Sequence, residues 1–562
     1  MSTFAVRGAD RRPRRPRRRR RTLQSAPTMP RLVAAQVGYA ARDLWRSRIA
    51  MVFTFLFPLT FLLVIGAMAG NATISADSTV RIMQFVTPSA AVMGALYGAF
   101  PTVASSLADA RERGVLKRIR GTPLPMWMHL LGRVIASAAF AFGSLGLMLL
   151  VGVIAYDVQI QWATMPATVV TSLLAVSCFA ALGVAVAGLA RSASLAQAVS
   201  IAVAVVLSFL SGLMGYGDLP AWADRVAVIF PVKHFNDALA EQFDPFATGS
   251  GWDLGAVAVI AAWLVVGIAV ATRTLGWQPV HATRTRPGAR RVVVRRTSPA
   301  AVAATGTMTA SQSGRPGWPA LLRGQAEWAT KSALRDLGWV FFTVALPIGL
   351  FAFNAAIIEG PPPMSPPLEV QLAAGMMAWA AVVTGLVNLP EAFARARERG
   401  QLKRLRGTPL PIHVHLEGRW LAALGLVLAT AVSILALAAF AFDIAISAAG
   451  VPLALGLLVL GTASLSAIGF LLASIVPTSQ AVTAVGLGIA LPLSFFSDVF
   501  TFAGTPDWMG AVGSILPLKH LANSMSAALD PAGVTVSWVG ITVMVGWLVV
   551  AGALAVRRSA TA

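Results

Sequence analysis

Charged side chains are scarce in this 562-residue sequence. Asp, Glu, Lys and Arg make up 12% of the residues, apolar residues make up 56%, and the mean hydropathy is +0.72. Soluble domains carry roughly 25% charged residues. Folding this chain as soluble domains would leave too much apolar surface in contact with water. The composition therefore indicates an integral membrane protein.

Cysteine and histidine are also rare. Cys178 is the single cysteine, so the chain cannot form an internal disulfide, and we expect it to be a packing residue in its apolar run. Among the six histidines, only His413 and His415 lie close together, and no cysteine or acidic cluster joins them. We therefore predict no metal site.

Acidic residues are the scarcer charged class, with 23 Asp and Glu against 45 Lys and Arg, which gives a formal net charge of +22. This balance could suggest nucleic-acid binding, but the basic residues flank apolar segments. Each segment is near the ~20 residues that a helix needs to cross the hydrocarbon core, and backbone groups in lipid must bond internally. The predicted transmembrane helices are 50–69, 83–106, 131–154, 166–189, 196–215, 253–272, 338–357, 369–390, 417–440, 452–473, 480–499 and 536–556.

The distribution of Lys and Arg predicts the orientation of the chain. With the N-terminus inside, 41 of the 45 basic residues lie on the cytoplasmic side, and only Arg81, Arg225, Lys233 and Lys519 lie outside. The positive-inside rule favours this topology. We predict a multi-pass protein of the plasma (inner) membrane with both termini in the cytoplasm and no nucleic-acid partner.

The sequence contains an internal repeat. The segment 111–125 recurs at 397–411 as Arg-Glu-Arg-Gly-x-Leu-Lys-Arg-x-Arg-Gly-Thr-Pro-Leu-Pro, and the same offset relates Pro-x-Lys-His at 231–234 and 517–520. Each copy has six spans, an even number, so both copies enter the membrane in the same orientation. We predict an all-α polytopic membrane protein with 12 transmembrane helices arranged as two parallel six-helix repeats.

Composition divides the chain into four segments. An amphipathic stretch precedes the first span of each repeat, at 31–47 and 318–337, and predicts a helix in the membrane interface. The segment between the repeats has no helical period and is rich in Arg, Thr, Ser, Pro and Gly. The four segments are a disordered Arg-rich cytoplasmic tail at 1–30, a first six-span unit at 31–273, a flexible cytoplasmic linker at 274–318 and a second six-span unit at 319–562.

The repeated motif follows the second span of each unit and is cytoplasmic in this topology. Its glycine and proline, Gly121 and Pro123 in the first copy, favour the end of a short helix. A positive-inside loop would explain the Arg and Lys residues. It would not explain the repeated glutamate, the repeated glycine or the shared Gly-Thr-Pro-Leu-Pro. We therefore predict that this loop docks a partner.

This loop resembles that of ABC-2 type transporter permeases, and the Pro-x-Lys-His segment before the sixth span is similar to theirs. The resemblance covers nearly the whole chain, once per unit, and is nearest to the fused two-unit permeases of antibiotic and drug exporters of the daunorubicin or tetronasin type. It implies an ABC-2 exporter fold and a transport subunit that is not itself an enzyme. ATP and Mg would be bound by a separate cytoplasmic ABC ATPase in two copies, and no second permease copy would be required.

The sequence agrees on one point, because it contains no Gly-x-x-x-x-Gly-Lys-Ser/Thr phosphate-binding loop. The resemblance also implies that 107–125 and 393–411 form coupling helices that sit on the ATPase, with their glutamates paired to its basic residues. The residues expected to couple are Glu112, Arg113, Gly114, Leu116, Lys117 and Arg118, with Glu398, Arg399, Gly400, Leu402, Lys403 and Arg404.

Two external segments, 216–250 and 502–535, precede the sixth spans. The resemblance implies short re-entrant helices that cap the transport pathway. Their candidate gate residues are Lys233, His234, Lys519 and His520. The alternatives are that the lysines extend to lipid headgroups and that the histidines have a structural role at the interface.

The spans hold almost no ionisable residues away from their ends. An ion-coupled carrier normally buries some of them as a relay, so their absence favours a lipophilic cargo and an apolar path. The second and fifth spans are expected to line that path at the junction between the two halves, with Phe85, Tyr97, Phe100 and Trp379 as candidate lining residues.

Two other classes of protein remain open. A twelve-span ion-coupled secondary transporter also has two parallel six-span halves, but this class does not account for the repeated cytoplasmic loop. A membrane scaffold or enzyme is the third class, for which the sequence offers no catalytic constellation.

Overall fold

The computed structural model is helical, with an isolated bridge between Thr73 and Arg81 in its described part. Most of the predicted linker and most of the predicted N-terminal tail lie outside the described residues, as do Pro123 and Pro409 of the repeated motif. The structure describes residues 29–70, 72–74, 79–122, 124–214, 221–274, 317–357, 365–408, 410–500 and 506–561.

The described part of each half contains ten helices in the same order. The first half consists of α1 (Met29–Arg46), α2 (Arg48–Ala69), α3 (Met83–Glu112), α4 (Val115–Arg120), α5 (Met126–Tyr156), α6 (Met165–Leu189), α7 (Ala193–Leu210), α8 (Ala221–Ala227), α9 (Pro231–Phe243) and α10 (Leu254–Thr274). The second half consists of α11 (Trp318–Leu334), α12 (Leu337–Ala355), α13 (Leu368–Glu398), α14 (Gln401–Arg406), α15 (Ile412–Ala441), α16 (Val451–Ile475), α17 (Ser479–Phe496), α18 (Asp507–Gly513), α19 (Pro517–Leu529) and α20 (Trp538–Thr561).

Twelve of these helices are long and apolar enough to cross a membrane, six in each half. They are α2, α3, α5, α6, α7 and α10 with their counterparts in the second half. This confirms the predicted two-repeat polytopic fold. The second spans continue past their predicted ends at 106 and 390, to Glu112 and Glu398. Each second span therefore carries its charged end directly into the repeated loop.

The amphipathic helices α1 and α11 pack against the starts of α5 and α15. His129 Nδ1 lies 2.8 Å from Gln36 Oε1, and His415 Nδ1 lies 2.9 Å from Gln325 Oε1. A Cβ added at the glycine three residues after each histidine would lie 2.6 Å from the glutamine Cβ. Glycine therefore permits this close approach. His413 is exposed and takes no part in the contact.

The second spans α3 and α13 are the most deeply buried of the twelve. Helix α3 packs against α5, α6 and α7, and α13 packs against α15, α16 and α19. Other spans present apolar side chains such as Ile154 and Phe440 on the outside of the molecule. This pattern fits a helical bundle with lipid around it. A displacement of α3 or α13 would act on several other spans of the same half.

The two halves meet through their first and fifth spans. Helix α12 packs against α7, and α2 packs against α17, so the contact is reciprocal. A Cβ on Gly338 would lie 3.6 Å from Ala198 Cβ, and a Cβ on Gly488 would lie 3.3 Å from Leu56 Cδ2. The ring centroid of Phe353 lies 6.1 Å from that of Phe209 across the same junction. The fifth spans thus lie at the junction, opposite the first spans.

Candidate functional site

The repeated loop forms a short helix after a sharp turn in both halves. Helix α3 ends at Glu112, Gly114 has a φ of +70°, and the six-residue helix α4 follows. In the second half Gly400 has a φ of +65° before α14. This left-handed conformation costs residues with a Cβ about 1–2 kcal/mol, which explains the repeated glycine. The predicted short helices are present, and each is confined to six residues.

Basic side chains cover the outside of this loop. Lys117 and Arg118 are exposed, whereas Leu116 between them and the bundle is completely buried. Arg113 is also exposed and pairs with Asp109 at 2.8 Å. The loop therefore exposes its basic side chains, while the buried Leu116 packs its helix against the bundle. In the second half the exposed cations are Arg399, Lys403 and Arg404, and Leu402 is half-buried.

The two glutamates of the motif bind the starts of the fifth spans. Glu112 Oε2 accepts a hydrogen bond of 2.8 Å from the backbone N–H of Ala193. Glu398 accepts two bonds from Ser479, one from the N–H and one from the hydroxyl, both of 2.7 Å. The first N–H groups of a helix lack intrahelical partners, and its N-terminus attracts negative charge. Each carboxylate thus has a partner in its own chain.

The arginine before each glutamate binds the end of the fourth span. Arg111 is 4% exposed and donates to the carbonyls of Gly188, at 3.2 Å, and Ala190. Arg397 donates to three carbonyls of the equivalent turn, at 2.7 to 3.1 Å. Sequence reasoning did not select these two arginines as site residues. Their recurrence in the repeat was the available signal.

The second half has an additional contact near the repeated loop. Arg395 pairs with Glu391 and lies 3.8 Å from Asp336, which accepts from the Gly338 N–H at the start of α12. In the first half the residue at the start of α2 is Ser47, whose hydroxyl accepts from the Ala50 N–H. The second and first spans are therefore linked by an ion pair in the second half.

On the opposite face, Lys233 lies between two carboxylates. Its Nζ is 3.4 Å from Asp224 of α8 and 3.1 Å from Asp237 of α9, and its side chain is 20% exposed. Burial disfavours the charge, but the two carboxylates outweigh burial and raise the pKa of Lys233. His234 Nε2 lies 2.8 Å from the Val228 carbonyl oxygen. These contacts hold α8 and α9 together.

The second half has the equivalent lysine, but the carboxylate that pairs with it comes from a different position. Lys519 Nζ lies 3.0 Å from Asp498, which follows the fifth span α17, and its side chain is 15% exposed. The positions equivalent to Asp224 and Asp237 are Gly510 and Asn523. His520 Nε2 lies 2.7 Å from the Ser514 carbonyl oxygen, as His234 does in its own half. Lys519 is thus paired with a residue that follows the fifth span, a helix of the junction between the halves.

Comparison with protein families decides between the classes that the sequence left open. Residues 35–243 match the model of the ABC-2 type transporter, and residues 368–557 match that of the ABC-2 family transporter protein. The chain belongs to the ABC-2 type transporter family. It is a fused two-unit permease, because both domains stand in tandem in one chain. The comparison with curated proteins gave no match.

Membership in the ABC-2 family makes the chain a transmembrane transport subunit of an ABC exporter. It also implies a cytoplasmic ABC ATPase as partner. Both family matches fall inside the predicted six-span units, and each match contains one copy of the repeated loop.

Three of the four aromatic residues expected to line the permease path, Tyr97, Phe100 and Trp379, lie in the packed core. Tyr97 has no exposed surface, and its ring centroid lies 5.9 Å from that of Phe53. Phe100 and Trp379 are 4% and 3% exposed, whereas Phe85 is half-buried. The structure therefore brings the second-span aromatics against helices of their own half.

The different carboxylate partner of the lysine in the second half, Asp498, gives a testable prediction for this permease. Asp498→Asn should lower the free energy of unfolding by about 1–2 kcal/mol, because a mostly buried Lys519 loses a charged acceptor. Adding Asn523→Asp, which copies the i,i+4 spacing of Lys233 and Asp237, should restore at least half of the loss. Thermal unfolding of the purified single and double variants measures both effects. An equally unstable double variant would contradict the prediction, because a carboxylate beside Lys519 would then not restore stability.

Proposed function

We propose that this permease exports a lipophilic compound, such as a drug, an antibiotic or a lipid-like molecule, from the cytoplasm across the plasma membrane. A separate ABC ATPase binds ATP and Mg and supplies the energy. Two ATPase copies bind to one permease chain, one beneath each repeat, and no second permease chain is needed. Both chain termini lie on the ATPase side of the membrane.

The main support for this proposal is the pair of exposed basic loops after α3 and α13. Each loop presents its cations at the end of the most buried span of its half. A partner with an acidic surface could bind both loops at once, because the two halves repeat the same motif. A push on either loop would be transmitted directly to the centre of that half.

The proposed cargo follows from the contacts between the halves. The junction is built from apolar contacts, such as Gly338 against Ala198 and Phe353 against Phe209. Closure of the ATPase dimer would shift the two halves between inward-open and outward-open states. An apolar surface revealed in this way accepts a lipophilic molecule without having to compensate a buried charge.

Co-expression with an ABC ATPase subunit followed by native mass spectrometry tests this proposal. We expect one permease chain with two ATPase chains, and we expect the complex to dissociate as the salt concentration rises, because exposed charges are screened. A complex with two permease chains would contradict the fused arrangement. An assembly that is insensitive to salt would contradict docking through the basic loops.

A further inference from the structure

Two consecutive residues at the end of the second span form hydrogen bonds to the turn between the fourth and fifth spans, one on each side of that turn. In the first half this turn is 190–192, between α6 and α7, and in the second half it is 476–478, between α16 and α17. Arg111 and Arg397 donate to carbonyls on the fourth-span side. Glu112 and Glu398 accept from N–H groups on the fifth-span side.

The signs of these charges match the two helix ends. The C-terminus of a helix has free carbonyls and attracts cations, and the N-terminus has free N–H groups and attracts anions. An Arg-Glu pair at the end of the second span therefore satisfies both ends at once. Each pair therefore links the second, fourth and fifth spans of its half.

We propose that Arg111–Glu112 and Arg397–Glu398 are positioning residues that couple the docking loop to the fifth span. This inference rests on the proposed function, since it assumes that an ATPase displaces the loop. The glutamates act inside their own chain, and the exposed cations beyond them contact the partner. Motion of α4 passes through the end of α3 to the turn, and from the turn to α7.

The fifth span is the element that carries this motion to the other half. Helix α7 contacts α12, and α17 contacts α2. With the pair intact, displacement of a docking loop moves the fifth span along the junction. With the pair broken, the loop can still bind the ATPase, but its displacement is no longer imposed on the junction.

The two halves should differ in sensitivity. Glu398 uses both carboxylate oxygens on Ser479, whereas Glu112 has a single bond to the Ala193 N–H. Loss of the acceptor in the second half removes two bonds, one of them from a hydroxyl. Ser479→Ala removes only that hydroxyl bond and should reduce coupling less than Glu398→Ala.

The experiment measures the separation of the fifth spans in the permease–ATPase complex. Spin labels at Val203→Cys of α7 and Ile489→Cys of α17 occupy repeat-related positions that are 39% and 41% exposed. The background carries Cys178→Ser, because Cys178 is the single native cysteine. Pulsed electron spin resonance then gives the label-to-label distance with and without ATP, alongside ATPase affinity and hydrolysis rate.

In the wild type we expect the distance to change on ATP binding. In Glu112→Ala with Glu398→Ala that change should disappear, while ATPase affinity stays within about two-fold. The corresponding Gln variants keep an acceptor oxygen and should retain at least half of the change. The exposed Glu327→Gln on α11 serves as the control and should behave as the wild type.

Three results with the glutamate variants would overturn the inference. The first is an ATP response in the alanine variant that equals that of the wild type. The second is loss of ATPase binding in the alanine variant, which would place the glutamates in the partner interface. The third is a Gln variant that is as defective as the alanine variant. If the alanine variant does not fold, Ser479→Ala decides, and a full ATP response there would also overturn it. Failure of the wild-type chain to bind the ATPase would instead contradict the proposed function.

Discussion

Reversing Lys117, Arg118, Lys403 and Arg404 to glutamate should abolish stable binding of the ATPase. These side chains are exposed on α4 and α14, the short helices of the repeated loops that we propose to dock the ATPase. Exposed ion pairs contribute about 0.2–1 kcal/mol each, and reversal replaces attraction by repulsion. Four reversals should therefore cost about 3–4 kcal/mol, roughly a 100- to 1,000-fold loss of affinity. Binding of the labelled ATPase to the permease in nanodiscs measures this loss.

The fold should survive these changes, because none of the four side chains is buried. Reversal of Lys331 and Arg335, which are exposed on and after α11, is the matched control. It should change the affinity by less than about three-fold. Equal losses in the control and the loop variant would indicate a general charge effect and contradict docking through the loops.

A disulfide between positions 198 and 338 should abolish ATP-driven transport until it is reduced. A Cβ on Gly338 lies 3.6 Å from Ala198 Cβ, and disulfides span Cβ distances of about 3.5–4.5 Å. The Gly338→Cys and Ala198→Cys changes join α12 of one half to α7 of the other. In the proposed transport cycle the halves move apart, so the oxidised double variant should not be able to complete it.

Transport of ethidium or a fluorescent phospholipid, whichever the wild type moves, should be measured before and after reduction. Each single cysteine variant, made with Cys178→Ser, controls for the substitution itself and should retain transport. Full activity in the oxidised double variant would mean that this junction stays closed throughout the cycle. In that case the path could not open between α7 and α12.

The sequence predicted much of this fold for physical reasons. Apolar length fixes where helices cross a bilayer, and the 286-residue offset identified the two repeats. The positive-inside rule does not account for the glycine that recurs at position 114, whereas its positive φ does. The glycine and proline of the repeated motif predict the short helices that follow the second spans.

The contacts around the repeated loop are harder to predict from the sequence. Arg111 was indistinguishable from the other arginines of a positive-inside loop, because composition does not reveal which side chain is buried. The bond from Ala193 to Glu112 joins residues 81 positions apart. Likewise, the repeat offset gives no sign of Asp498 as the partner of Lys519, because its equivalent position in the first half is Gly212.

The most direct test of the whole account is uptake of ethidium and a fluorescent phospholipid into inside-out vesicles that contain the permease with its ATPase. Uptake should require both ATP and the ATPase, and it should persist when proton and sodium gradients are collapsed. Uptake driven by an ion gradient in vesicles without the ATPase would contradict the account.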